Sequence, residues 1–151
     1  MEGVKTMKSA VVSVAGVVGS FLAYLFGGWD ASIITLLIFM GIDYISGLIV
    51  AGVFHKSNKS ENGSLESRAG WKGLVKKCVT ILFVILSVRL DLLMVDIGLA
   101  ETTFVRDAVC IAFIVNELIS IIENAGLMGI PIPSIITKSI ELLKNKGDEN
   151  V

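Results

Sequence analysis

Four polar residues stand inside stretches that are otherwise apolar: Asp43, Arg89, Asn116 and Glu117. Carboxylates and a guanidinium can do acid–base work, hold a metal, relay protons or pair with one another. The sequence supplies no companions for the first two. No Walker loop, nucleophile elbow or zinc-type spacing is present, so neither catalytic residues nor a metal site are expected. His55 is the lone histidine. Cys78 and Cys110 lie in apolar runs without ligand spacing and read as small packing residues. No cofactor is expected. That leaves ion pairing or a charge relay inside a low-dielectric interior, and this depends on the elements that hold the four residues.

Those elements read as membrane spans. The chain is 54% hydrophobic and only 18% charged, with a mean hydropathy of +0.79. The charges are bunched and leave long uncharged runs. An apolar helix needs about 20 residues to cross ~30 Å of hydrocarbon. The run 9–28 meets that length without a charge, and 31–54 meets it with Asp43 as its one interruption. The link Gly28-Trp29-Asp30 is so short that these two helices must form an antiparallel hairpin. Two weaker candidates follow at 74–98, holding Arg89, and 106–128, holding Asn116 and Glu117. The expected fold is therefore an all-α integral membrane protein of about four transmembrane helices, with three as the alternative, forming one domain over 1–151. A short amphipathic helix is expected over 134–146, with Ile135, Ile136, Ile140 and Leu143 on its apolar stripe.

Basic residues give the orientation. Lys5 and Lys8 precede the first run. The segment from His55 to Lys77 carries six Lys or Arg against two Glu, and Lys138, Lys144 and Lys146 lie in the tail. The intervening links hold only Arg106. This alternation fits four spans with both termini in the cytoplasm. It would also put Cys78 and Cys110 near opposite faces, too far apart for a disulfide. Net charge is −1, and no basic stretch is interleaved with aromatics, so no nucleic-acid partner is expected.

At 1.5 Å per residue, Asp43, Arg89 and Glu117 each fall roughly 15–18 Å from a span end. Isolated charges at that depth cost about 2.5–3.5 kcal/mol each, so they should face the bundle and pair. Arg89 is expected to pair with Asp43, Glu117 or both, and Asn116 to join this network. The first helix also repeats small residues at every fourth position: Ala15, Gly19, Ala23 and Gly27. Gly47 and Ala51 continue the spacing on the second. Such faces permit close helix packing within or between protomers.

Three stretches together, "MGIDYISGLIVAG", "SRAGWKGLVKK" and "NELISIIENAGLMGIPIP", resemble the toxin-secretion and phage-lysis holin family of Gram-positive phages and clostridial toxin loci. The resemblance covers roughly Ile33 to Leu143. The matching positions are Asp43, Gly47, Gly70, Gly73, Lys76, Lys77, Glu117, Ser120, Asn124, Gly129, Pro131 and Pro133. The resemblance implies a non-enzymatic protein of the bacterial cytoplasmic membrane. Its partners would be the lipid bilayer and further copies of itself as a homo-oligomer, and it would form lesions that release an endolysin or a large toxin. The residues alone also accommodate a small proton- or ion-coupled transporter or channel subunit, with Asp43, Arg89 and Glu117 as a relay, or a membrane adaptor.

Overall fold

A computed structural model describes residues 2–60 and 62–149, without the side chains of Glu2, Glu141 and residues 143–149. Leu143, Lys144 and Lys146, expected on the tail helix, are therefore outside the described side chains. Among the described residues the fold is all helix: α1 (Glu2–Phe26), α2 (Ala31–Ile49) continued by a π-helical turn (Val50–Phe54), α3 (Ser67–Asp96), α4 (Val105–Leu127) and α5 (Ser134–Glu149).

The hairpin between α1 and α2 is built by its own residues. Gly27 and Gly28 take φ of +72° and +119°, left-handed conformations that side chains disfavour, and Gly28 N–H closes the last turn of α1 on Ala23 O at 2.8 Å. Asp30 then N-caps α2, its carboxylate accepting from Ile33 N–H at 3.1 Å. At the other end, the π turn stops at His55, which has a left-handed φ of 52°.

The elements pack in one register. Arg106 meets Asp30, and Asn124 meets Asp43 and Ser46, so α4 runs parallel to α2. Lys77 meets Asp43 and Glu117, and Asp91 meets residues 104–106, so α3 runs antiparallel to both. The apolar core is Phe26, Ile33, Leu36, Met40, Val84, Cys110 and Ile114. Outside it the bundle is covered with large apolar side chains, among them Ile34, Ile38, Ile42, Ile45, Leu82, Phe83, Leu86 and Leu93. An apolar exterior around buried Asp43, Ser87, Asp91, Glu117 and Asn124 inverts the pattern of a water-soluble domain. Among the described residues, three helices are long and apolar enough to cross a membrane: Gly3–Phe26, Ala31–Phe54 and Ser67–Asp96. The more polar α4 packs extensively on α2 and also on α3.

One element boundary differs from the sequence expectation. The third helix begins at Ser67, not residue 74. Gly70 and Gly73 each weaken an isolated helix by about 1 kcal/mol relative to Ala, which is why the segment reads as a loop. In the fold both glycines face Tyr44 at ordinary packing distance: a Cβ on Gly70 would lie 3.8 Å from the Tyr44 hydroxyl, and one on Gly73 4.0 Å from the ring. The small-residue face of α1 is also little used within the protomer. Ala15 is exposed and Gly19 faces open space, while Ala23 is half-buried and Gly27 approaches Val88. Gly47 abuts Asn124, and Ala51 is buried.

Candidate functional site: a buried ion cluster under a basic cavity

Midway along the bundle, Lys77 reaches inward from α3 and lies between two carboxylates. Its ammonium donates to Asp43 Oδ2 at 2.8 Å and to Glu117 Oε2. All three side chains are nearly buried, with exposures of 12% for Lys77, 9% for Asp43 and 8% for Glu117. Asn124 donates to Asp43 Oδ1 at 3.1 Å and to Ser46 Oγ at 2.9 Å, and the Ser46 hydroxyl donates to Asp43 O. Lys59, from the loop joining α2 and α3, comes within 3.8 Å of Asp43 Oδ1 while remaining half-exposed.

Arg89 is not in this cluster. It lies exposed on α3 with its guanidinium 4.7 Å over the Tyr24 ring of α1. Helix geometry gives the reason. Arg89 stands twelve residues beyond Lys77, so it sits about 120° around the helix and roughly 18 Å along it. Measuring depth from Lys77 as though it were a surface residue placed the wrong cation at the centre. Asn116 is also exposed and lines only the neighbouring cavity; Asn124, two turns further on, supplies the buried amide. The sequence signal for Lys77 was its position as the last cation before an uninterrupted apolar run, once that run is extended back through Ser67.

A second polar layer lies toward the α1–α2 hairpin. Asp91 accepts from the N–H groups of Phe104, Val105 and Arg106 at 2.8–2.9 Å and so caps the start of α4 from α3. Arg106 donates to Asp30 at 2.6 Å, tying that helix start to the N-cap of α2. The Arg106 guanidinium holds the Asp30 carboxyl below its ordinary value of 3.8. Neither layer offers a metal-binding group of His, Cys, Asp and Glu among the described residues. Both Cys78 and Cys110 are free thiols.

Above the cluster, a cavity of about 460 Å³ opens beside the loop. Asp43, Gly47, Gly70, Gly73, Lys76, Lys77, Glu117 and Ser120 all contribute to its wall. Eight of the twelve positions carrying the family resemblance thus converge on one place. Asn124 touches it through Asp43, whereas Gly129, with φ +77°, belongs to the turn after α4 and Pro131 and Pro133 to the link before α5.

The sequence profile of the bacteriophage holin family matches residues 20–145, taking in α2 to α4 whole. The chain belongs to the bacteriophage holin family. A probable holin of Bacillus phage phi105 is 33% identical over 128 residues, 84% of each chain. An uncharacterized protein of Halalkalibacterium halodurans is 35% identical over 136 residues, covering 90% of this chain and 93% of its own. An uncharacterized 14.9 kDa protein from the nagH 3′ region of Clostridium perfringens is 36% identical over 128 residues, 85% of this chain and 88% of that one. No solved structure matches. For this holin-family membrane protein, the ion cluster and cavity lie wholly within the matched region.

Proposed function

We propose that the chain acts as a holin of the bacterial cytoplasmic membrane. It accumulates there as a multi-pass protein, with α4, packed on α2 and α3, as the fourth span so that both termini lie inside, and associates with further copies. The resulting lesions release an endolysin or a large protein toxin. The observation that carries this reading is the family match over residues 20–145, supported by the likeness to the phage phi105 probable holin. The step is physical and uses no catalytic residue or cofactor.

The geometry supports a way to store and release polarity. In the compact bundle Asp43, Lys77 and Glu117 satisfy one another and apolar side chains face outward. If neighbouring protomers separate α3 from α2 and α4, the same three groups can line water. The small-residue face of α1, with Ala15 exposed and open space beside Gly19, is available for contact between protomers. Lys77 and the half-exposed Lys59 set two ammonium groups against the two carboxylates, and separating them in the membrane field is worth about 2.3 kcal/mol per 100 mV for each charge carried across, enough for loss of membrane potential to bias the opening.

Inducible expression in a bacterial host, with and without a co-expressed cytoplasmic endolysin, tests the reading. Culture density should collapse only when both are present. The same density loss without endolysin, or none with it, would overturn the proposal. Solute flux that follows an ion gradient would instead support a transporter, the reading that the cavity leading to Asp43 otherwise favours.

A further inference from the structure

The cavity above the ion cluster has two walls of opposite character. On the inner wall Lys77 is spent on Asp43 and Glu117. On the outer wall, Lys72 and Lys76 stand one turn apart on α3 and form no ion pair among the described residues. Lys59 adds a third cation, held only loosely at 3.8 Å from Asp43. Among the described residues, the acid left at the mouth is Glu66. Ser57 lines the same space, and its oxygen already accepts from Lys59 N–H, leaving the hydroxyl proton to donate. The rim is apolar: Leu48 and Leu65 line it and are exposed.

We propose that this cavity is a binding site for the headgroup of an anionic phospholipid. The lipid phosphate lies between the Lys72 and Lys76 ammonium groups, with Lys59 and the Ser57 hydroxyl as further donors. The headgroup fills the polar space, and the glycerol and first methylenes leave across Leu48 and Leu65. A cavity of about 460 Å³ has the volume of about fifteen liquid waters, ample for a glycerophosphate head. Charge complementarity selects an anion, and the apolar rim at the ends of two long apolar helices selects one attached to acyl chains. The proposal rests on the membrane placement above but is independent of lesion formation.

Native mass spectrometry of the full chain in detergent, titrated with phosphatidylglycerol or phosphatidylcholine of identical acyl chains, tests it. The expected result is preferential retention of one phosphatidylglycerol per protomer. Lys72→Gln with Lys76→Gln should weaken that retention tenfold or more, on the order expected for losing two cations near an anionic headgroup. Lys5→Gln with Lys8→Gln, which removes equal charge from residues that do not line the cavity, should leave it unchanged. Equal retention of both lipids, or equal loss in the two double variants, would overturn the site. Displacement by free glycerol phosphate at the same concentration would assign the cavity to a soluble anion and overturn the lipid assignment. Carbonate extraction of cell membranes is scored separately. A protein that extracts as soluble sinks the membrane placement, whereas an integral protein indifferent to lipid charge sinks only this site.

Discussion

Replacing Lys77 with Met removes the one cation that serves both buried carboxylates. Breaking a buried pair by deleting one partner costs about 3–5 kcal/mol, because a desolvated charge is left behind. The two carboxylates are not equally stranded. Asp43 keeps the Asn124 amide at 3.1 Å and Lys59 at 3.8 Å, whereas Lys77 is the only partner recorded for the Glu117 side chain among the described residues. Most of the loss therefore belongs to Glu117. Lys77→Met should destabilise the protein by about 3–5 kcal/mol, and adding Glu117→Gln should recover more of it than adding Asp43→Asn. Arg89→Gln, which loses only a guanidinium–ring contact at the exposed Tyr24, should cost about 1 kcal/mol or less. Reversible unfolding in mixed micelles, followed by far-UV circular dichroism against denaturing-detergent fraction, ranks the variants. If Lys77→Met matches the parent, or Arg89→Gln is the more damaging change, the cluster does not hold the bundle together. Equal rescue by the two neutralising changes would refute the assignment of the loss to Glu117.

Further outcomes follow from the other layer, the loop and the thiols. Asp91→Ala strips three backbone N–H groups of their acceptor and should cost about 2–3 kcal/mol, with faster hydrogen exchange confined to Phe104, Val105 and Arg106. Asp30→Asn keeps an N-cap but loses the charge paired with Arg106. Because that pairing lowers the folded-state value of Asp30 below 3.8, its contribution is present above 3.8 and fades as pH falls through the lower value. The stability gap between parent and Asp30→Asn, measured by the same unfolding assay, should accordingly shrink on going from neutral pH to below that range. Gly63→Ala forces a side chain where φ is +70° and where its Cβ would collide with His55 O, so limited proteolysis should cut the loop between α2 and α3 faster. In detergent, Cys78 on the bundle exterior should react with a membrane-permeant maleimide faster than buried Cys110, which should react only on unfolding, read as two kinetic phases by mass.

Helix number, the α1–α2 hairpin and the positions of Asp43 and Glu117 were legible because each depends on local signals: uninterrupted apolar length, a three-residue link and the depth of a charge. The start of α3 was not. Gly70 and Gly73 lower local helix propensity, and what overrides it is contact with Tyr44, some 26 to 29 residues away in sequence. That one boundary carried the error about the cation, since it moved Lys77 from a presumed surface position to the centre of the bundle. Asn124 was visible as part of the family pattern, but its hydrogen bonds to Asp43 and Ser46 depend on the parallel register of α2 and α4, which no single helix encodes. The partners of Asp91 are backbone N–H groups at the start of another helix, which carry no side-chain signature.

The central claim is that this holin-family chain opens the membrane abruptly after accumulating in it. A potential-sensitive dye followed through induced expression in single cells, without endolysin, measures this most directly. The account predicts a stable potential while protein accumulates, then collapse within a small fraction of that delay, and a shifted collapse time for Lys77→Met at equal membrane abundance. A potential that declines steadily with expression, or that survives full accumulation, would contradict it.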